Sequence, residues 1–298
     1  MMLSADSLRI LSALSLRTKR SFYGTRYGSH RSLRRGHGME FAEYRTYEVG
    51  DNPRTIDWNL YGRSDKLYSK RFLEEENVAL YIVIDGSRSI THPELREKWD
   101  CARCLALATS YVALSSHDVV TVSILGGATS CRFSGGRSYG RIQDFLYAET
   151  QRLDKDPNTV IDLERETKLL ASRLTFPGIC IFISDFLYPQ DLVYGIFSHL
   201  RARNLELHAI QVLGEDDVCP ADSGDSALYA DSETGEDREL DVSLRAVEEY
   251  TQLLQEHNES IRLAIVEQGA SFVQVAMDSN RTAEESAVTA VTSMGVFV

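Results

Sequence analysis

Four runs of nearly uninterrupted apolar residues set the fold class: NVALYIVID (77–85), DVVTVSILGG (118–127), GICIFISDF (178–186) and LELHAIQVL (205–213). Each has the length of a strand, and none alternates polar with apolar residues. A strand that is apolar on both sides must be covered on both sides, which is the situation of a parallel sheet packed between helices. The intervening segments supply those helices. ELREKWDCARCLALATSYVALSS (94–116) is a long amphipathic run, 139–153 and 160–173 are two more, and PQDLVYGIFSHLRARN (189–204) carries Pro near its start, where a helix accepts it. Residues 243–258 read as a further helix, ASFVQVAM (270–277) as a last strand before a helical tail, and TSCRFSG (129–135) as a short edge strand. This alternation predicts an α/β chain with a doubly wound, mostly parallel sheet and helices on both faces.

Two regions fall outside that rhythm. Residues 3–20 have helical spacing, and 21–77 are rich in Gly, Tyr and Arg with strand-like fragments such as MEFAEYRTYEV. The expected division is therefore an N-terminal helical and β-rich extension, 1–77, and an α/β domain, 78–298. Within the latter, residues 215–241 hold eleven acids against one base, Arg238, and read as a solvated hairpin or loop.

Charge follows the same division. Residues 1–38 carry eight Lys/Arg against Asp6, in a chain whose net charge is −12. A basic head on an acidic body suits an anionic partner, nucleic acid or a membrane surface, or else a head folded back on its own body. No run of about 18 apolar residues is present to span a bilayer, and the first 20 residues lack the apolar core of a signal peptide. Five cysteines, an odd and sparse number, argue against a disulfide framework, so a cytoplasmic location is expected.

One strand ends unusually. YIVIDGSRSI (81–90) passes from a buried run into Asp85, Ser87 and Ser89, and Asp185 ends another buried run in the same way. Ligands of open parallel sheets bind at the carboxyl ends of the strands, where strand order reverses. Two strand-ending aspartates with nearby hydroxyls make an oxygen-only donor set, the preference of a hard cation such as Mg²⁺. The pattern Asp85-x-Ser87-x-Ser89 with the later Asp185 resembles the metal-ion-dependent adhesion site of von Willebrand factor A domains. The resemblance implies Mg²⁺ or Mn²⁺ with an open position for a partner's carboxylate, and a Thr ligand opening a helix. Thr159, in PNTVIDLERETKLL, occupies that place; Ser134, Ser138 and Thr150 are other hydroxyls near it in sequence.

EFAEYRTYEVGDNPRTIDWNLYGRSDKLYSKRFLEEE (40–76) is similar to the signature of the domain of unknown function 58 family, as are SDF (184–186) and YADSETGE (229–236). That resemblance implies a von Willebrand factor A-like, Rossmann-like fold and an association with MoxR-type AAA+ ATPases. Many members carry two N-terminal membrane spans; this chain reads as the short soluble type. Physically, Arg45, Arg54 and Arg63 against Asp51, Asp57 and Glu75 predict a bidentate ion-pair cluster beneath Trp58. It either pins the N-terminal segment or docks a partner, which makes Arg45, Asp51, Arg54, Asp57, Trp58 and Arg63 the partner-binding candidates.

Other motifs fall away. Cys101-x-x-Cys104 sits inside an amphipathic helix without a second pair at zinc spacing, and no phosphate loop, nucleophile elbow or H-E-x-x-H is present. The expected function is a metal-dependent protein-interaction module, adaptor or cofactor of a MoxR-type ATPase in protein maturation, and not an enzyme. The alternatives are attachment to nucleic acid or a membrane surface through the basic head and, less favoured, a metal-dependent hydrolase.

Overall fold

The computed structural model describes residues 3–17, 40–73, 78–92, 96–127, 130–155, 161–174, 177–218, 226–230, 237–241, 244–278 and 280–298. In chain order the elements are α1 (Ala5–Leu11), β1 (Glu40–Thr46), α2 (Trp58–Ser64), β2 (Tyr68–Leu73), β3 (Ala79–Ile84), α3 (Arg88–Thr91), α4 (Arg96–Ser115), β4 (Val119–Ile124) and β5 (Cys131–Ser134). They continue with α5 (Tyr139–Lys155), α6 (Leu163–Arg173), β6 (Gly178–Ser184), α7 (Gln190–Arg201), β7 (Leu205–Leu213) and α8 (Glu215–Val218). Last come β8 (Ser226–Ala230), β9 (Asp237–Asp241), α9 (Leu244–Glu267), β10 (Ser271–Ala276) and α10 (Ala283–Ser293).

The chain divides into two compact units, residues 1–22 with 78–298, and residues 23–77. The sequence had grouped 1–22 with the extension. In the structure α1 belongs to the larger unit, because Leu3 and Leu11 are buried in its core. The helix is also shorter than the 3–20 expected from spacing. Ser12 Oγ donates back to Arg9 O at 2.7 Å, the local competition by which Ser ends helices. The chain then runs out to exchange backbone hydrogen bonds between Ser15 and Val298.

In the larger unit the sheet order is β10-β7-β6-β3-β4-β5. All neighbours are parallel except β4 and β5, which pair antiparallel at one edge. The chain leaves β3 toward β4 and β5, then returns to build β6, β7 and β10 on the other side. Strand order thus reverses between β3 and β6, which are in register from Ala79↔Gly178 to Ile84↔Ile183.

The two-residue pleat divides each strand between two layers. Leu80, Ile82 and Ile84 of β3, with Ile179, Ile181 and Ile183 of β6, pack in one core with α1, α4, α5 and α10. Tyr81 and Val83, with Cys180 and Phe182, pack in the other with α6, α7 and α9. This two-sided cover explains why the strand sequences are continuously apolar. Helix α9 runs to Glu267, beyond the 258 expected, because Ile261, Ala264 and Ile265 continue its buried stripe. The acidic segment contains a hairpin, β8 paired antiparallel with β9. No helix among the described residues is long and apolar enough to cross a membrane.

Gly86, two residues past the end of β3, is fixed by close packing rather than by backbone conformation. A Cβ there would lie 2.1 Å from Leu125 O, a main-chain atom at the end of β4 that cannot swing away. Gly86→Ala should lower stability by about 1–3 kcal/mol. By contrast Gly140→Ala, at a helical position with open space around it, should be neutral or stabilising by up to about 1 kcal/mol. Urea unfolding midpoints of the two variants would show this difference, and equal midpoints would refute it.

Candidate functional site

The register between β3 and β6 brings two chain reversals together at the carboxyl edge of the sheet. Asp85, one residue past β3, donates its N–H to Ile183 O at 2.9 Å and so continues the ladder. Its carboxylate is completely buried and satisfied from two directions. Oδ1 accepts the Ser87 N–H at 2.8 Å, and Oδ2 accepts the hydroxyl of Ser184, the last residue of β6, at 2.6 Å. The chain then turns into α3, where Thr91 Oγ1 donates to Ser87 O at 2.8 Å and fixes the loop. The Ser87 and Ser89 hydroxyls lie 3.1 Å apart.

Asp185 is equally buried. Its Oδ1 accepts the Leu187 N–H at 3.3 Å, while its main-chain carbonyl accepts Gln211 Nε2 at 2.8 Å from the neighbouring β7. The next residue, Phe186, has φ 53°, a left-handed conformation uncommon outside glycine. It is held there on both sides: its N–H donates to Ser184 Oγ at 3.0 Å, and its carbonyl lies 2.8 Å from His257 Nε2 of α9.

Two residues of the site were not among the sequence candidates. Lys98 of α4 has a side chain only 2% exposed, and its Nζ lies 3.2 Å from Asp185 Oδ2 and 3.0 Å from Asp217 Oδ2 in α8. A signal was present: Lys98 occupies the apolar stripe of α4, in line with Ala102, Leu105 and Thr109, where a charge needs a buried partner. Asp217 had no such signal, since it is one of many acids in its segment.

Two carboxylates, Asp185 and Asp217, therefore flank one ammonium, and Asp85 lies near enough to Asp185 to feel its charge. Burial first, and the Asp185 charge second, push the Asp85 carboxyl up to about 6, while its Ser184 and Ser87 donors oppose the shift. Burial pulls the Lys98 ammonium down, but the nearby Asp185 and Asp217 charges outweigh it and leave its pKa raised.

The donor set suits the divalent cation that the sequence resemblance implies. Among the described residues no three His, Cys, Asp or Glu side chains cluster around a metal position, so hydroxyls have to contribute. Adjacent ligands of an octahedral Mg²⁺ at about 2.1 Å stand roughly 3.0 Å apart, close to the 3.1 Å between Ser87 Oγ and Ser89 Oγ. The net charge of Asp85, Asp185, Asp217 and Lys98 is also what a divalent ion neutralises. Thr159 lies outside the described residues.

The smaller unit corrects a second expectation. Its arginines do not form the bidentate cluster with Asp51 and Asp57; Glu75 lies outside the described residues. Arg45 pairs with Glu48 at 2.8 Å, and the Asp57 carboxylate pairs with Lys70 at 3.0 Å. Asp57 is the N-cap of α2, its Oδ1 accepting the Asn59 and Leu60 N–H groups, and Oδ2 also accepts the Tyr44 hydroxyl at 2.9 Å. Asp51 Oδ2 accepts the Glu48 N–H, and the Arg54 N–H donates to Asn52 Oδ1. Among the described residues Arg54 and Arg63 make no ion pair. Trp58 is 63% exposed, with Tyr61 against its edge. Lysine won over arginine at Asp57 because Lys70 stands on the strand that pairs with Tyr44.

Cys101 and Cys104 are free thiols buried in α4. Burial pushes Cys104 up to about 12 and Cys101 further, which removes the thiolate that redox chemistry needs.

Residues 43–260 match the family described as "Protein of unknown function DUF58". The uncharacterized proteins Mb1516 of Mycobacterium bovis and Rv1480 of Mycobacterium tuberculosis are each 26% identical over 276 residues, 92% of this chain and 86% of theirs. Among solved structures, BatB from Bacteroides thetaiotaomicron aligns with a TM-score of 0.39 at 11% identity, over 72% of this chain and 98% of that one. An aerotolerance-related membrane protein from Bacteroides fragilis aligns with a TM-score of 0.38 at 12% identity, over 73% of this chain and all of that one.

The Asp57 arrangement generates a pH-dependent prediction. Lys70 first, then the Leu60 N–H, hold its carboxyl down at about 2. A depressed acid stabilises the fold above its unfolded pKa of about 4, and that contribution disappears as pH falls through about 2. Asp57→Ala should expose the Asn59 and Leu60 amides to faster hydrogen exchange at pH 7 and lower stability through the lost cap. Asp57→Asn, which keeps a capping oxygen, should lose less. Unchanged exchange in Asp57→Ala would remove the capping role.

Proposed function

Because the chain belongs to the DUF58 family, we propose that it is a protein-interaction module of von Willebrand factor A-like architecture. It acts as an adaptor for a MoxR-type AAA+ ATPase in protein maturation, in the cytoplasm, and binds without catalysing a reaction. The observation that carries this reading is the convergence of Asp85, Ser87, Ser89 and Asp185 where the strand order of a parallel sheet reverses. The ATPase comes from the sequence resemblance.

Asp85, Ser87 and Ser89 would hold a divalent cation, with Asp185 alongside. When bound, that cation supplies an open coordination position for a carboxylate of the partner. The chain's own residues do the positioning. Ser184 and the Ser87 N–H fix Asp85, Thr91 fixes the Ser87 loop, and Leu187, Gln211 and Lys98 fix Asp185. A partner carboxylate thus meets a preformed edge, which limits the ordering cost of docking.

Pull-down of the ATPase with the intact protein, Asp85→Asn, Asp185→Asn and Arg203→Ala, each with and without EDTA, tests this. Both aspartate variants should weaken capture by about 1.5–3 kcal/mol, the worth of one charge-assisted contact. EDTA should reproduce the loss in the intact protein and added Mg²⁺ should restore it. Arg203→Ala, exposed at the opposite end of the sheet beside the start of β7, should behave like the intact protein. Equal capture throughout would move the docking surface elsewhere, with the exposed Trp58 of the smaller unit the next candidate.

A further inference from the structure

Lys98 is unusual for a residue beside a cation site, since a buried ammonium repels the ion that the surrounding oxygens attract. Its surroundings show what it does. The side chain is 2% exposed and bridges Asp185, which is fully buried, to Asp217, which is 17% exposed. Asp217 is fixed from other directions as well: its Oδ2 accepts the Gly214 N–H at 2.8 Å, and its carbonyl accepts the Tyr250 hydroxyl at 2.9 Å from α9. The residue before Lys98 joins the same clasp, with Glu97 Oε1 accepting the Glu215 N–H at 2.9 Å. Two consecutive residues near the start of α4 thus fasten segment 214–218, where the acidic segment begins, to the carboxyl edge of the sheet.

We propose that Lys98 is a resident cation of this edge, one that keeps the Asp185 reversal and segment 214–218 in place without a divalent ion and weakens the binding of that ion. The inference rests on the divalent-cation reading given above. Two buried carboxylates close together demand positive charge. Sites that draw all of it from a metal fold only when the metal is bound. Here a tethered ammonium meets part of the demand permanently, so loading and unloading the ion leave the edge folded. The ion is then a reversible ligand that tunes partner binding. Lys98 acts through Asp185 and Asp217, which makes it a positioning residue.

Three variants give predictions of opposite sign. Lys98→Met keeps an unbranched stem in the buried channel and removes the charge. It should bind Mn²⁺ roughly tenfold tighter, as expected when a nearby like charge is removed from a partly buried site. Its melting temperature should fall in EDTA and recover with Mn²⁺, whereas that of the intact protein should respond little to EDTA. Asp217→Asn leaves the ammonium to Asp185 alone and should weaken Mn²⁺ binding. Lys98→Arg should behave like the intact protein.

The measurements are Mn²⁺ titration by electron paramagnetic resonance and melting curves in EDTA and in Mn²⁺, all on the full chain. Equal Mn²⁺ affinity across the intact protein, Lys98→Met and Asp217→Asn would overturn the role of Lys98 while leaving the cation site standing. So would an EDTA response in the intact protein as large as in Lys98→Met. No Mn²⁺ binding by any of the proteins would overturn the cation site, and this inference with it. If Lys98→Met fails to fold in EDTA but folds in Mn²⁺, the result supports the proposal; failure in both conditions leaves Asp217→Asn to decide by its sign.

Discussion

The parallel register of β3 against β6 is the constraint on which the rest depends. Pairing Ile84 with Ile183 places Asp85 beside Ser184 and brings the two strand-ending aspartates to one edge. Because side chains alternate with period two, a slip of one residue would turn Leu80, Ile82 and Ile84 toward the other helical layer. It would also take Asp85 away from the Ser184 hydroxyl. Core packing and site geometry are therefore enforced together, and the hydrophobic layers hold the aspartates in place.

What those layers hold is electrostatically costly. Asp85 and Asp185 are both fully buried, and the repulsion between them adds to burial in pushing Asp85 up to about 6. The fold offsets that cost with oriented donors: main-chain N–H groups from Ser87 and Leu187, the Ser184 hydroxyl, and the ammonium of Lys98. Each comes from a turn, a strand end or a helix start anchored elsewhere, so the donors are pre-positioned and need not reorganise. Phe186, in its left-handed conformation and braced by Ser184 and His257, shows that some backbone strain is accepted for this purpose.

Structure and sequence agree where periodicity alone carries the information. The strands at 79–84, 119–124, 178–184 and 205–213 lie within the apolar runs, because an uninterrupted run has few other ways to be buried. Element ends agree less well, for local reasons: Ser12 turns back on Arg9 and ends α1, whereas Ile261 and Ile265 prolong α9. The signature segment shows a further limit. Its charges read as arginine–aspartate pairs, yet Asp57 is claimed by Lys70 of β2, the strand whose Tyr68 carbonyl accepts the Asp57 N–H, since proximity in a fold follows where the chain is brought together rather than residue type.

By itself the sequence determined the α/β class, the two-sided cover of the sheet and the placing of Asp85, Ser87, Ser89 and Asp185 at strand ends, since each follows from local period and position along the chain. Tertiary structure alone decided what those carboxylates meet. Lys98 stands 87 residues before Asp185 and 119 before Asp217, and only the packing of α4 against the sheet brings its ammonium between them. No local pattern encodes that meeting, because a buried ion pair is specified by where two elements cross in space, and the chain between them leaves no periodic trace of the crossing.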